Sequence, residues 1–308
     1  PMAGSTGYAE YRTNAGKMTN KVHELTVYVT PVRSDMLNWT ISANFTRVSN
    51  LVVELTEGVE SISLAGYTTP NVRAYAGYSY PSIYGMMAER DEEGRIIVDD
   101  NPDSPWYGTP NWGLDGIIGE VTPDFMLSFT NTFTLFQTVT LLAQVDWKKG
   151  GDIYSGSNRL FALYGTAGFT EDRESTWHYE DTENALSPTY KSDGSPNDII
   201  RGGPGDEASY FNNYFFTLGN LDEAAIYETS YVKLREVSLS FDLPPKWTSA
   251  IHMQNAILSL VARNILLWST LPNFDPEVSQ GQGNGQGGFD YMSLPQTSSF
   301  GLSLNLKF

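Results

Sequence analysis

The residues that could carry out catalysis are few and widely separated in this chain. Its 308 residues include three histidines, His23, His178 and His252, and no cysteine. Neither the H-E-x-x-H pattern of zinc hydrolases nor the G-x-S-x-G pattern of serine hydrolases occurs. Without cysteine there is no thiol nucleophile, thiolate metal site or disulfide framework. We therefore predict that the protein is not an enzyme.

Acidic residues offer two further kinds of chemistry, glycoside hydrolysis and calcium binding. A hydrolase needs two carboxylates that meet in space, and the 36 acidic residues lie mainly in polar segments typical of a solvated surface. Asp99, Asn101 and Asp103 have the alternate spacing of a calcium loop. The twelfth position from Asp99 is Pro110 rather than Glu, so the spacing predicts a turn. Calcium at these three residues stays a minor alternative, and no other metal or cofactor is expected.

Aromatic residues in the long polar segments are the best candidates for ligand contacts. A flat ring can stack on the apolar face of a sugar or pack against a peptide side chain. The same rings could instead pack segments together or contact a partner protein. The candidates are Trp106, Tyr107, Trp112, Trp177, Tyr179, Phe289 and Tyr291.

Composition indicates an all-β protein. Aromatic residues make up 13%, charged residues only 18%, and there are 28 glycines and 18 tyrosines. The formal net charge of -17 argues against nucleic acid as a partner, because phosphate binding requires concentrated Lys and Arg. No window approaches 18 uninterrupted apolar residues, which excludes a membrane helix but not membrane strands of about 9 to 11 residues.

Seven stretches alternate apolar and polar residues over strand length. The clearest is the C-terminal one, in which Phe300, Leu302, Leu304 and Leu306 alternate with smaller or polar residues. The phase slips between Leu234 and Val237, which suits a β-bulge. The facing of the sixth stretch is ambiguous because it is apolar on both parities. The seven stretches are 22–31, 37–47, 124–135, 138–147, 230–242, 255–264 and 299–308.

The connections between these stretches alternate between short and very long. Short turns at one end and long loops at the other are typical of an outer-membrane barrel, with its periplasmic turns and extracellular loops. On that pattern aromatic residues gather at both ends of the strands, where amphipathic rings favour the membrane interface. The expected girdle residues are Trp39 at the turn end and Phe125, Trp147 and Trp268 at the loop end. An ordinary β-sandwich with an aromatic core is the alternative interpretation.

Four segments, in order along the chain, resemble the SusC-like family of TonB-dependent outer-membrane transporters. They are "TGYAEYRTNAGKMTNKVHELTV" (6–27), "SYVKLREVSLSFDLPPKW" (230–247), "LVARNILLWSTLPNFDPEV" (260–278) and "TSSFGLSLNLKF" (297–308). One departure is Val22, where the family usually has a glycine two residues before Glu24.

The resemblance implies that residues 1–308 are the C-terminal portion of a large barrel of 22 strands with a plugged lumen. The plug domain, the TonB box and the earlier strands would then be absent from this chain, since the family places them N-terminally. The terminal Phe308 is similar to the signal by which outer-membrane proteins are recognised for assembly.

Two functions follow as hypotheses. By resemblance, the protein would import oligosaccharides or oligopeptides across the bacterial outer membrane together with a SusD-like surface lipoprotein and the TonB complex. The alternative is a soluble extracellular all-β protein that binds or hydrolyses glycans. The two differ in what the apolar parity faces: lipid for the transporter, and a closed core between two sheets for the soluble protein.

Overall fold

The computed structural model describes residues 5, 7, 14, 16–67, 69–168, 171, 175–181, 186–203, 220–249, 253–278 and 287–308. Most of the first resemblance segment before Gly16, and also His252, lie outside these residues. Among the residues described, no helix is long and apolar enough to cross a membrane.

The described elements are mostly strands. In chain order the strands are β1 (Gly16–Arg33), β2 (Leu37–Leu55), β3 (Ser61–Gly66), β4 (Asn71–Tyr75), β5 (Ser82–Ala88), β6 (Ile96–Ile97), β7 (Trp112–Glu120), β8 (Phe125–Leu135), β9 (Val139–Lys149), β10 (Asp152–Ser155), β11 (Thr176–His178), β12 (Thr189–Tyr190), β13 (Ile200–Gly202), β14 (Ile226–Glu228), β15 (Tyr231–Asp242), β16 (Asn255–Ser269), β17 (Phe289–Asp290) and β18 (Ser299–Lys307). The helices are α1 (Gly156–Leu163), α2 (Pro245–Ser249) and the 3-10 turns Tyr179–Asp181 and Asp222–Ala225.

The main sheet has seven strands in the order β1-β2-β8-β9-β15-β16-β18. Every neighbouring pair is antiparallel. Each strand corresponds to one of the seven stretches predicted from alternation, so the all-β prediction of about seven antiparallel strands is confirmed. β1 and β2 are longer than predicted, at 18 and 19 residues, and extend past the other strands at the end that carries the long segments.

The short connections of this sheet lie together at one end. β8 and β9 are joined by residues 136–138, of which Phe136 and Gln137 have positive φ (49° and 59°), as in the tight turns of β-hairpins. The Phe136 amide donates to the Met36 carbonyl at 2.9 Å, which ties this turn to the β1–β2 turn. The Gln254 amide donates to the Lys307 carbonyl at 2.7 Å, so the C-terminus reaches the same end. The predicted division into a turn end and a loop end is thus present.

The two faces of the sheet differ in polarity, and strand register makes each face continuous. One row runs across six strands with only large apolar side chains: Trp39, Phe133, Leu141, Leu239, Leu260 and Leu302. The adjacent row on the opposite face is entirely polar: Asn38, Thr134, Thr140, Ser240, Ser259 and Ser303. Leu260 and Leu302 are 51% and 69% exposed, so no second sheet covers this apolar face within the described residues.

Register also resolves two uncertainties of the sequence. The pairing of β15 with β9 shifts between Leu234 and Glu236, which confirms the predicted bulge and places it at Arg235. The pairing with β16 shifts at the same level, but there the extra residue belongs to β16, between Arg263 and Leu266. In β16, Leu258, Leu260 and Ala262 are the register partners of Leu304, Leu302 and Phe300, and therefore belong to the apolar face.

The long segments, which the sequence indicated only as loops, form a structured layer at the loop end. They contain a four-stranded sheet (β3-β4-β5-β7), a three-stranded sheet (β14-β10-β17) and the pairs β11-β13 and β12-β6. This loop layer has two apolar clusters of its own. One contains Ala88, Ile96, Ala162, Trp177, Tyr179, Leu221 and Ala224, and the other Val72, Ile83, Tyr154, Ala225 and Phe289.

Candidate functional site

A network of charged side chains joins the polar face of the sheet to the loop layer. Lys233 and Arg235 of β15 lie two residues apart and both reach the same face. The Lys233 Nζ lies 2.9 Å from Asp275 Oδ2 and 2.7 Å from Glu277 Oε2. Arg235 bridges Glu277 and Asp146 of β9, with its Nε 2.6 Å from Asp146 Oδ2. Segment 271–278, hereafter the docked segment, is thereby held against the seven-stranded sheet, hereafter the wall.

Burial makes this network energetically important. The side chains of Lys233 and Asp275 are 2% and 5% exposed. A buried charge without a partner costs several kcal/mol, so each of these groups depends on the other. The docked segment packs over polar side chains, which identifies the polar face as the face that the loop layer covers.

Glu277 is the most heavily bonded carboxylate of this network. It accepts hydrogen bonds from Lys233, Arg235, Tyr231 and Gln296. Burial acts to raise its pKa, but the hydrogen bonds from Arg235 and Lys233 outweigh burial and lower the pKa of Glu277 to about 2. The carboxylate is therefore ionised at neutral pH.

A cavity of about 330 Å³ lies beside this network, between the polar face of the wall and the loop layer. Met126 and Lys148, which are register partners on β8 and β9, line its wall side. Asp152, Pro276 and Glu277 are among the loop residues that line the opposite side. Burial raises the pKa of Asp152, and the hydrogen bond from the Glu120 amide and the charge of Lys148 offset part of this rise.

The aromatic candidates fall into two groups. Trp177, Tyr179 and Phe289 are 7%, 0% and 4% exposed and lie within the two clusters of the loop layer. The rings of Trp106 and Trp112 meet edge to face with centroids 5.1 Å apart, and Trp112 is 40% exposed.

The last two aromatic candidates keep part of their surface open. Tyr107 is half-buried, and Arg201 lies over its ring at 5.6 Å. Tyr291 is 37% exposed and lies 5.7 Å from the ring of Tyr67. Ligand contact by any of the seven candidates stays a prediction.

The four girdle candidates lie on the apolar face at the expected ends. Trp39 stacks on Phe133 near the turn end, with ring centroids 5.4 Å apart. Phe125 contacts Trp147 at 5.0 Å near the loop end. Val232 separates Trp147 from Trp268 in the same row of the register. Phe308 follows β18 at the turn end and is 73% exposed, and its assembly role stays a prediction.

The calcium alternative gains no support from the structure. The carboxylate of Asp99 accepts the Asn101 amide at 3.0 Å, and the side chain of Asn101 accepts the Asp103 amide at 3.1 Å. These oxygens form the expected turn. Within the described part of the chain, no three His, Cys, Asp or Glu side chains are grouped closely enough to hold a metal ion.

The sequence did not predict the charged network as a site, although Lys233, Arg235, Asp275 and Glu277 lie within two of the segments that resemble the SusC-like family. One signal was available, because two cations two residues apart in a strand must share a face, and a charged pair on a lipid face would be costly. Their partners could not be inferred, since Arg235 meets Asp146 across 89 residues.

Comparison with known proteins points to one family. No family model matches the chain. TonB-dependent receptors P3 and P26 of Formosa agariphila are each 24% identical to it, over 100% and 98% of this chain and 30% of their own length. The chain thus spans less than a third of these curated relatives.

Solved structures show the same fold. The RagAB peptide transporter matches the whole chain with a TM-score of 0.64 and 19% identity, over 31% of its own chain. The RagAB peptide importer in an open-open state matches with a TM-score of 0.63 and 18% identity. These relatives are receptors and transporters, in agreement with the prediction that the chain is not an enzyme. The chain is therefore similar along its whole length to a portion of the SusC-like TonB-dependent receptors, which are β-barrel proteins of the outer membrane.

Proposed function

We propose that the chain is the C-terminal barrel portion of a TonB-dependent transporter that imports oligosaccharides or oligopeptides across the outer membrane. The observation that carries this proposal is the opposite character of the two faces of the sheet. The apolar face suits lipid, and the polar face, covered at one end by the loop layer, suits a wet lumen. The remainder of the 22-stranded barrel would pair with β1 and β18, which each have one neighbour among the described residues.

Within this proposal a SusD-like lipoprotein closes over the loop end, and the TonB complex acts through the part of the protein that precedes this chain. Similarity to a protein described as a peptide transporter supports oligopeptides as one substrate class. Trp112 and Tyr291, which retain exposed ring surface in the loop layer, are the best placed of the aromatic candidates for substrate or lipoprotein contacts. The soluble glycan-binding alternative is disfavoured, because it requires the apolar row of leucines to form a closed core.

Uptake by the full-length protein tests this proposal. Cells with and without its gene are supplied with fluorescent oligopeptides or oligosaccharides, and uptake is measured before and after TonB depletion. We expect uptake of at least one of the two classes to require both the protein and TonB. The protein should also migrate differently in boiled and unboiled membrane samples, as folded barrels do. Complete extraction of the protein from membranes by salt without detergent would contradict the proposal. Uptake that is unchanged after TonB depletion would also contradict it.

A further inference from the structure

The cavity between wall and loop layer contains two opposite charges that form no direct ion pair with each other. Lys148 Nζ donates to Thr229 Oγ1 at 2.6 Å, and no carboxylate oxygen of the described residues lies within 4.0 Å of it. Asp152 Oδ2 accepts the Glu120 amide at 2.8 Å, and no cation of the described residues is paired with it. Both side chains line the same cavity.

Charged groups with so few hydrogen bonds are unfavourable in a partly buried cavity. An ammonium group can donate three hydrogen bonds and a carboxylate can accept several, yet each of these groups has one partner among the described residues. Glu277, the third charged group of the cavity, is already bonded to Lys233 and Arg235. Lys148 and Asp152 therefore retain unused hydrogen-bonding capacity on opposite signs of charge.

The other residues that line the cavity restrict the kind of ligand it can bind. Val121, Met126, Pro276 and Val278 give the cavity apolar surfaces. Its volume of about 330 Å³ is near the lower end of ligand pockets, about 300–1,000 Å³. The hydroxyls of a neutral sugar could form hydrogen bonds with Lys148 and Asp152 but would leave both charges uncompensated. A small molecule with a carboxylate, an ammonium group and an apolar side chain would complement both charged groups and the apolar lining of the cavity.

We infer that this cavity binds a zwitterion of the amino-acid or dipeptide class, with its carboxylate on Lys148 and its ammonium group on Asp152. The inference rests on the proposed import function and narrows its substrate class towards peptides. Lys148 and Asp152 belong to different layers, since one lies on β9 of the wall and the other on β10 of the loop layer. Binding would consequently link the two layers.

Calorimetry on the full-length protein in detergent tests this inference with the dipeptide alanyl-leucine. Its N-acetylated form, its C-amidated form and a neutral disaccharide serve as matched ligands. Because a charge-assisted hydrogen bond contributes about 1.5–3 kcal/mol, the free dipeptide should bind at least about 10-fold more tightly than either blocked form. The disaccharide should not compete.

Variants assign each end of the ligand. Lys148→Met should abolish the preference for a free carboxylate and retain the preference for a free amine, and Asp152→Asn should do the reverse. Lys148→Arg should retain both preferences. The control is Lys149→Met, because Lys149 bonds to Glu228 at 2.6 Å and does not line the cavity. Boiled and unboiled samples establish that each variant is folded.

The outcomes separate this inference from the proposed function. Equal binding of free and blocked dipeptides, or an undiminished carboxylate preference in folded Lys148→Met, would overturn the inference while TonB-dependent uptake could still stand. A protein that discriminates free from blocked ends but is absent from the outer membrane would overturn the proposed function and leave the binding site in place.

Discussion

At the scale of single residues, Glu277 shows how one carboxylate can organise a large interface. It accepts hydrogen bonds from two cations, a phenol and an amide. Three of these donors lie on β15, and the fourth, Gln296, lies just before β18. A hydrogen-bonded carboxylate of this kind stays ionised to low pH. Docking of segment 271–278 should therefore resist mild acid.

The pH dependence of docking follows from the pKa of Glu277, which falls from 4.5 in the unfolded chain to about 2 in the folded one. For a lowered pKa, the stabilisation is complete above about pH 4.5 and is lost as the pH falls towards about 2. We expect pepsin cleavage at Phe274 to accelerate within this window. The Glu277→Gln variant should be cleaved faster than the unmodified protein at every pH in this window, and its cleavage rate should not depend on pH in the same way. Release of the segment between pH 5 and 7 in the unmodified protein would contradict the lowered pKa of Glu277.

At the scale of elements, the docked segment connects the wall with the first helix of the loop layer. Its inner side carries the ion pairs to β15, and its other contacts reach α1. The ring of Phe274 stacks on Phe161 with centroids 5.6 Å apart. Asn158 donates to the Pro272 carbonyl at 3.2 Å and accepts from Asn273 at 2.7 Å. The loop layer is therefore attached to the wall through a specific element.

Removing the cation of the buried pair should release this element. Lys233→Met leaves Asp275 buried without its ammonium partner, a change that costs about 3–5 kcal/mol. The chymotrypsin cleavage rate at Phe274 in the full-length protein should rise by about 100-fold or more.

The matched control for this variant is Arg263→Met. It breaks the pair with Glu236, in which the Arg263 side chain is 60% exposed and which is therefore worth about 0–1 kcal/mol. Cleavage should change less than about 5-fold. If both variants were folded and equally resistant, the ion pairs would not be what holds the segment.

At the scale of the whole molecule, the length of the apolar face agrees with the thickness of a membrane. Phe125 and Phe133 mark the two ends of the apolar face on β8, and they are separated by about 27 Å along the strand at about 3.4 Å per residue. A strand tilt of about 40° reduces this to about 20 Å along the barrel axis, close to the apolar band of about 25 Å in outer-membrane barrels. The charged network lies on the opposite face, away from this band.

Substitutions in the middle of the band should distinguish the two faces. Phe129→Arg places a charge on the apolar face near the midplane and should cost about 2–4 kcal/mol. Thr130→Arg, one residue away, places the same charge on the polar face and should have little effect. The folded fraction is read from boiled and unboiled membrane samples of the full-length protein. Equal effects of the two changes would exclude a lipid-facing apolar row.

The sequence alone determined the seven wall strands, their turn end and loop end, and the division into two faces. These features depend on the alternation of neighbouring residues, which is a local property of the chain. The bulge near Arg235 was also visible, because one extra residue shifts the phase of alternation. Resemblance of ordered segments then indicated the family, which the comparisons support.

Only the tertiary structure decided what the long segments do. Their short strands are stabilised by packing with distant residues, so Trp177, Tyr179 and Phe289 could not be recognised as buried from sequence. The charged network joins Lys233 to Asp275 across 42 residues, and the cavity is lined by residues that range along the chain from Val121 to Gly288. Contacts between residues so far apart in the sequence leave no periodic pattern, because they depend on the path of the long segments over the sheet.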